Sequence, residues 1–515
     1  MGTESKVRAL RVVVKDRNAE WTLNKVVGEA LEYEDSGSVN LYEEPLAAQR
    51  IKNLTNIIKD LRHALRQAGP DEEVAKTATR VATRIAEMLG DELYQYLFRN
   101  SLDKKYHQVL ADLRGSKKSP VDVLRISLEF QESASRLLGG WPWEYLHSPK
   151  RDNVGYSGHF LALETELMLS RRVFEKPQSL EFRSPLKVLL VVSMPDQRGE
   201  VLGNAVLSTL NDLKEATANE EKMKERGYKI KFKLDKLIDK PKEEALLDPN
   251  YSYQATRVNL EKTVRAYEPH IVHFIGHGRF DNDENRASID LIQAGFRPDP
   301  VAEEEFATRI KNANLRLVFL QACESAIGDP FTNASGMARS LALQQIPAII
   351  AMQDKIENIA AGEFACAFYE ELAKTRSIDK AVTAGRKAIH DQSDASQRVA
   401  FAVPVLYLES QIGLLTEAEV TPPDGGSIPP PIDTRQLRPC PRCNTMLDMA
   451  KAEFCTNCAL RFCCDSGRPQ CRGKQNRYLE PLGNFCHSCG AKIQQEPWSP
   501  AAPDSREKGP PKPPW

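Results

Sequence analysis

Between residues 186 and 408, short apolar runs alternate with longer stretches whose apolar residues recur every three to four positions. Runs of the first kind read as strands buried on both faces, and stretches of the second kind as helices with one apolar face. The strand runs are 186–193, 271–275, 315–320, 346–352 and 399–408. Helices are predicted over 202–213, 257–267, 302–311, 336–343, 360–374 and 378–391. Tyr228, Ile230, Phe232 and Leu234 alternate with polar residues, mostly lysines, so that strand has a wet face or lies at a sheet edge. Residues 288–292 fit a short hairpin edge. Such alternation predicts an α/β fold: a mostly parallel sheet flanked by helices on both faces.

The first 180 residues are patterned differently. A mostly apolar run at 9–14 has a candidate partner strand at 21–27. Ile51, Leu54, Ile57, Ile58, Leu61 and Leu65 form one stripe of a helix over 47–65. Val74, Ala78, Val81, Ile85 and Met88 repeat that spacing over 74–89, and Gly90 is the predicted C-terminal stop. Residues 123–130 read as a strand, and WPWEYL at 141–146 as a core anchor joining two halves. Residues 1–180 are therefore expected to form an α+β accessory half wrapped on a core of 181–415.

Two of the apolar runs end in residues with chemistry. Five of the six residues at 315–320 are apolar, and Gln321, Ala322 and Cys323 follow. The run at 271–275 ends in Gly276-His277-Gly278. Open α/β sheets place ligands beyond the carboxyl ends of their strands. If these strands are neighbours, an imidazole and a thiol meet at one rim, the minimum for a cysteine nucleophile with a base. A thiol of pKa about 8.5 needs help to ionise at neutral pH. The residues after Cys323 run through a loop before the next helix, so His277 is expected to carry most of that activation. His273 shares the face of His277 by alternation and is read as a packed strand histidine, and Cys366, in a predicted helix, as packing. Gln353 and Asp354, at the end of 346–352, are candidates for a substrate subsite at the same rim, with strand-end capping as the alternative.

Composition narrows the picture. Net charge is −1 over 515 residues, so no whole-chain field draws nucleic acid or membrane. No apolar run approaches the roughly 20 residues of a spanning helix, and no secretion signal is read at the start, so a cytoplasmic location is expected. Eleven cysteines, nine of them after residue 439, point to a metal-binding tail in a reducing compartment. Cys440 and Cys443, then Cys455 and Cys458, have the spacing of a zinc ribbon that closes four thiolates on one Zn²⁺. A second structural Zn²⁺ would use Cys486 and Cys489 with Cys464 and Cys471, Cys463 competing with Cys464. From 435 to 492 there are ten Lys or Arg against four Asp or Glu, so the ribbon has a protein or a nucleic acid as its candidate ligand. Prolines and glycines make 416–438 a linker before the ribbon at 439–494, and seven prolines in 496–515 predict a disordered tail over 495–515.

HFIGHGRF at 273–280 and LVFLQACESA at 317–326 resemble the CHAT domain, a caspase-like family related to separases. The resemblance continues through GGWPWEYLHSP at 139–149, LALETELMLSRRV at 161–173 and ARSLALQQIPAIIAMQDKI at 338–356. AAGEFACAFYEELA at 360–373 and AVTAGRKAI at 381–389 extend it, so that it spans most of 85–410. It implies a caspase-like sheet and, with His277 and Cys323 both in place, thiol peptidase activity. It also implies that the N–H groups of Gly278 and Cys323 serve the oxyanion. Relatives often carry an acid two residues before the cysteine, which selects basic side chains; the residue here is the neutral Gln321. The expected function is endoproteolysis of a partner protein, with the ribbon recruiting or regulating. The resemblance implies bacterial defence or signalling and a substrate encoded nearby. A non-catalytic scaffold and a nucleic-acid sensor acting through the basic ribbon are the alternatives.

Overall fold

The apolar runs fold as strands because each finds a neighbour on both edges and a helix on each face. A computed structural model of the chain describes residues 7–15, 17–27, 30–41, 45–67, 72–115, 123–131, 134, 138–149, 158–173, 178–196, 203–281, 286–322, 337–392, 395–410, 413–418, 437–439 and 446–448. The chain divides into two units, residues 1–418 and 419–515.

In the first unit a meander of β1 (Val7–Val14), β2 (Asn18–Val27) and β3 (Ala30–Asn40) opens the chain. Helices α1 (Pro45–Gln67), α2 (Glu72–Leu97) and α3 (Asn100–Gly115) precede β4 (Val123–Phe130) and β5 (Leu167–Arg172). Then come β6 (Leu186–Val192), α4 (Asn204–Ala218), β7 (Phe232–Ile238), α5 (Arg257–Tyr267) and β8 (Ile271–Asp281). A hairpin of β9 (Arg286–Gln293) and β10 (Arg297–Ala302) leads into α6 (Glu303–Ile310) and β11 (Leu317–Ala322). The unit closes with α7 (Met337–Leu343), β12 (Ala348–Met352), α8 (Asn358–Thr375), α9 (Ile378–His390) and β13 (Pro404–Leu408).

These thirteen strands of the described residues form one sheet in the order β7-β6-β8-β11-β12-β13-β5-β4-β1-β2-β3, with β9 paired onto β8 and β10 onto β9. From β7 to β12 every pairing is parallel. β12 and β13 are antiparallel, and strands from either side of residue 180 meet through Tyr407 opposite Arg171. The mixed, mostly parallel sheet flanked by helices is the α/β architecture expected from the pattern. β7 lies at the sheet edge, one of the two readings of the lysine-rich alternation, and it begins only at Phe232, so that Tyr228 and Ile230 precede it.

Strand alternation splits the core into two layers. Val188, Leu190, Ile271, Ile275, Leu317, Phe319 and Ile350 pack with α8 on one face. Leu189, Val191, Val272, Phe274, Val318, Leu320 and Ile349 pack with α5, α6 and α7 on the other. All six residues of β11 are buried.

Gly90 departs from expectation. It lies within α2, which runs on to Leu97. A Cβ there would stand 2.2 Å from the Tyr145 carbonyl oxygen and 2.5 Å from His147 Cβ. The glycine therefore serves close packing of a helix on the 141–148 segment, not termination. That segment is the anticipated anchor: Trp141 and Trp143 are 3% and 0% exposed, and Trp143 Nε1 donates to the Leu138 carbonyl at 2.7 Å. The last strand begins at Pro404, later than its pattern indicated, because 395–402 winds as a 3-10 helix.

In the second unit the described residues form a two-stranded antiparallel pair, β14 (Leu437–Pro439) with β15 (Met446–Asp448). Residues 440–445, with Cys440 and Cys443, lie outside the described residues, as do Cys455, Cys458, Cys463, Cys464, Cys471, Cys486 and Cys489. The linker and the Pro-rich tail anticipated at 416–438 and 495–515 fall largely or wholly there too.

Candidate active site

β8 and β11 are parallel neighbours, and their ladder ends with Gly276 opposite Ala322. The next position on β8 is His277 and the next after β11 is Cys323, which lies outside the described residues. His277 stands where β8 leaves its β11 partner, and Cys323 follows β11 in the sequence. β6 lies between β7 and β8, so the chain winds outward to β7 and then back across the sheet, and ligands collect at such reversals in open α/β sheets. Gly276 is required sterically, because a Cβ there would fall 2.7 Å from Phe274 Cζ. His277 and Gly278 are half-buried. Beyond the rim β8 continues and pairs with β9, placing His277 opposite Asp290 and Gly278 opposite Ile289.

One layer beneath His277 on the same face lies His273, fully buried. Its ring stacks on Phe319 with centroids 4.0 Å apart and planes 4° from parallel. A single neutral tautomer satisfies both neighbours: Nε2–H donates to Gln321 Oε1 at 3.3 Å, and the Tyr369 hydroxyl donates to Nδ1 at 3.1 Å. Burial drives the His273 pKa down to about 3, with the Gln321 bond opposing. Gln321, a candidate subsite residue, is 5% exposed and turned into this packing. Cys366 is held apart on α8, where the Thr209 hydroxyl donates to its Sγ at 3.1 Å and burial pushes the thiol up.

The next parallel strand, β12, delivers Gln353 and Asp354 to the same rim. Gln353 donates from Nε2 to Glu144 Oε2 at 3.0 Å and from its main chain to Val403 O at 3.0 Å. Asp354 accepts from Arg62 Nη1 at 2.6 Å, and Arg62 Nη2 donates to the Lys355 carbonyl. Glu144 in turn accepts from Arg171 Nε at 3.0 Å, and Arg171 holds the Gly139 and Trp141 carbonyls at 2.7 and 2.9 Å. Both members of that ion pair are 1% exposed. A solvent-open cleft of about 400 Å³ lies here, lined by Thr55, Ile58, Lys59, Arg62, Tyr145 and Gln353 among others.

Sequence reasoning singled out the two strand ends and Gln353 and Asp354. It did not single out Arg62, Glu144, Arg171, Tyr369 or Asp290. A weak signal existed for two of them: Glu144 stands inside the apolar WPWEYL segment and Arg171 inside a buried strand. Among the described residues no group of three or more His, Cys, Asp or Glu could hold a metal, and no helix is long and apolar enough to cross a membrane.

A model of the CHAT domain matches residues 87–407. Among solved structures, the chain is similar to two determinations of the Saccharomyces cerevisiae separase-securin complex, at 3.0 and 2.6 Å resolution. The TM-scores are 0.40 and 0.38, with 11% identity in each. Each match covers 78% of this chain and 30% of the solved chain's length. No curated protein matches.

Proposed function

The chain belongs to the CHAT domain family, and on that footing we propose that it is a caspase-like cysteine endopeptidase cleaving a partner protein through His277 and Cys323. The observation that carries the reading is the parallel ladder of β8 and β11 ending at Gly276 opposite Ala322, one residue short of each. The β8–β11 ladder stops there while β8 itself runs on to Asp281, and in the proposed arrangement both groups sit at that rim. In the proposed reaction the Cys323 thiol passes its proton to the His277 imidazole. The sulfur attacks the scissile carbonyl carbon, and main-chain N–H groups at Gly278 and Cys323 receive the oxyanion. The C–N bond breaks as the imidazolium returns its proton to the leaving amine, and water then hydrolyses the thioester.

The neutral Gln321 and the Arg62-bound Asp354 support a first subsite without a spare carboxylate for a basic side chain. We further propose that residues 439–494 hold two structural Zn²⁺ ions through Cys440, Cys443, Cys455 and Cys458, and through Cys464, Cys471, Cys486 and Cys489. Such a closed ribbon binds or recruits and does not catalyse.

The test is limited labelling of the full chain with a thiol-directed electrophile, mapped by mass spectrometry. Cys323 should label first, and His277→Ala should slow it at least tenfold. Labelling of Cys323 no faster than Cys366 would remove the peptidase reading. Co-expression with genes of the same locus, wild type beside Cys323→Ala, should then reveal a new substrate terminus that only the wild type creates.

A further inference from the structure

Where β8 runs past the rim, β9 lies antiparallel to it, and the residue directly across from His277 is Asp290. Residues directly opposite in such a ladder share one face, with Cβ atoms about 4.5–5.5 Å apart. The burial pattern agrees. Phe274 on β8 and Ala287, Ile289 and Leu291 on β9 point into one core layer, which Ile292 near the end of β9 joins as well. Ile275 on β8 points into the other, and His277 and Asp290 follow it by alternation. Asp290 is 1% exposed. Its cross-strand neighbour on the other side is Pro300, which carries no side-chain donor. A carboxylate so deeply buried is tolerated where a donor or cation faces it, and His277 is the titratable side chain its two cross-strand positions supply.

We propose that Asp290 is a positioning residue for His277: its carboxylate accepts from one ring N–H, fixing the tautomer, stabilising the imidazolium and leaving the other ring nitrogen for the thiol. The proposal rests on the peptidase reading for its purpose, though the carboxylate–imidazole contact itself does not. No proton is transferred to Asp290. Its charge makes the imidazole a better base toward the thiol and holds the ring in the orientation that returns the proton to the leaving amine. By register Arg279 and Asp281 on β8 and Arg286 on β9 fall on the same face, as does His273 one layer below, which burial keeps neutral between Tyr369 and Gln321.

The experiment is a ¹⁵N titration of histidine-labelled full-length protein in the Cys323→Ala background, so that the thiolate does not enter. His277 is assigned by its loss in His277→Gln. Asp290→Asn should lower the His277 midpoint by about one pH unit or more, a tenfold change in proton affinity, and Asp290→Glu should restore part of it. The His273 signal is the control and should not move. A His277 midpoint unchanged by Asp290→Asn overturns the proposal. Should the Asn variant fail to fold, the unsubstituted chain still decides. One ring tautomer with a slowly exchanging, downfield N–H is expected, and rapid exchange between both tautomers overturns it. Failure of Cys323 to label, with the His277 midpoint still dependent on Asp290, would sink the peptidase reading and leave the contact standing.

Discussion

Arg62, on the first helix, closes on Asp354, 292 residues later, with Nη1 2.6 Å from the carboxylate. Its side chain is 6% exposed and that of Asp354 18%. A pair this enclosed is costly to break from one side, since the remaining charge stays half-desolvated. Arg62→Ala is expected to lower stability by about 1.5–3 kcal/mol, the range for a hydrogen bond to a charged group. Urea unfolding of the single variants and of Arg62→Ala with Asp354→Asn checks this. Additive losses would show that the pair carries no coupling. Asp354 is committed to Arg62, so any role in holding a basic substrate side chain requires the first helix to move.

The buried histidines set an acid limit. His273 is held down to about 3 and His270 to about 4, both first of all by burial. The unfolded chain takes up protons near 6.5, so below that value it binds more protons than the folded chain. The contribution of both groups is therefore fully present above 6.5 and is lost as pH falls toward 4 and 3. Each group adds a slope of up to about 1.4 kcal/mol per pH unit in that window. His273→Gln should be less stable at neutral pH, because the Phe319 stack is lost, yet less acid-sensitive. Chemical unfolding at pH 7 and pH 5 measures the difference. An equal slope in wild type and variant would show that His273 is not held neutral.

Gly90→Ala separates local preference from packing. Alanine is favoured over glycine in a helix interior by about 1 kcal/mol, so propensity alone predicts a more stable protein. The added Cβ would meet main chain at the Tyr145 carbonyl, 2.2 Å away, which cannot yield as a flexible side chain would. Overpacking of this kind costs about 1–3 kcal/mol, and the net change should be destabilising. A rise in melting temperature would mean that the 141–148 segment is free to shift.

How much of this was legible depended on sequence distance. The buried strands of 186–408 announce themselves, since six consecutive buried positions leave only apolar choices in Leu317–Ala322 apart from Gln321. Helix α3 carries Leu102, Tyr106, Val109, Leu110 and Leu113 at helical spacing and could have been read, but charged residues between them mask the stripe. β3 falls in the strand-like stretch 7–45 but has no apolar pattern to bound it: its residues are mostly exposed, and it is placed by pairing with β2, where Gly37 lets Trp21 lie across it. The two strand ends of the candidate site were visible as apolar runs that stop. Their shared rim, the register that sets Asp290 against His277, and the Arg62–Asp354 closure are pairings between distant segments, which no local pattern encodes.

The second unit offers a test independent of catalysis. Its described pair, Leu437–Pro439 against Met446–Asp448, is antiparallel, so residues 440–445 connect two paired strands. Cys440 and Cys443 have the spacing of one half of the proposed tetrahedral thiolate site, and Cys455 and Cys458 that of the other half. Metal analysis of the purified full chain should find two zinc ions per chain. Cys440→Ser and Cys486→Ser should each cost one, since three thiolates hold zinc far more weakly than four. Because metal affinity is folding energy in such modules, chelation should expose 439–494 to protease. The melting transition of residues 1–418, a separate unit, should stay where it was. Less than one zinc per chain, with the nine tail thiols shown to be reduced, would overturn the ribbon assignment. Loss of both ions in either single variant would instead make the eight thiolates one cooperative cluster.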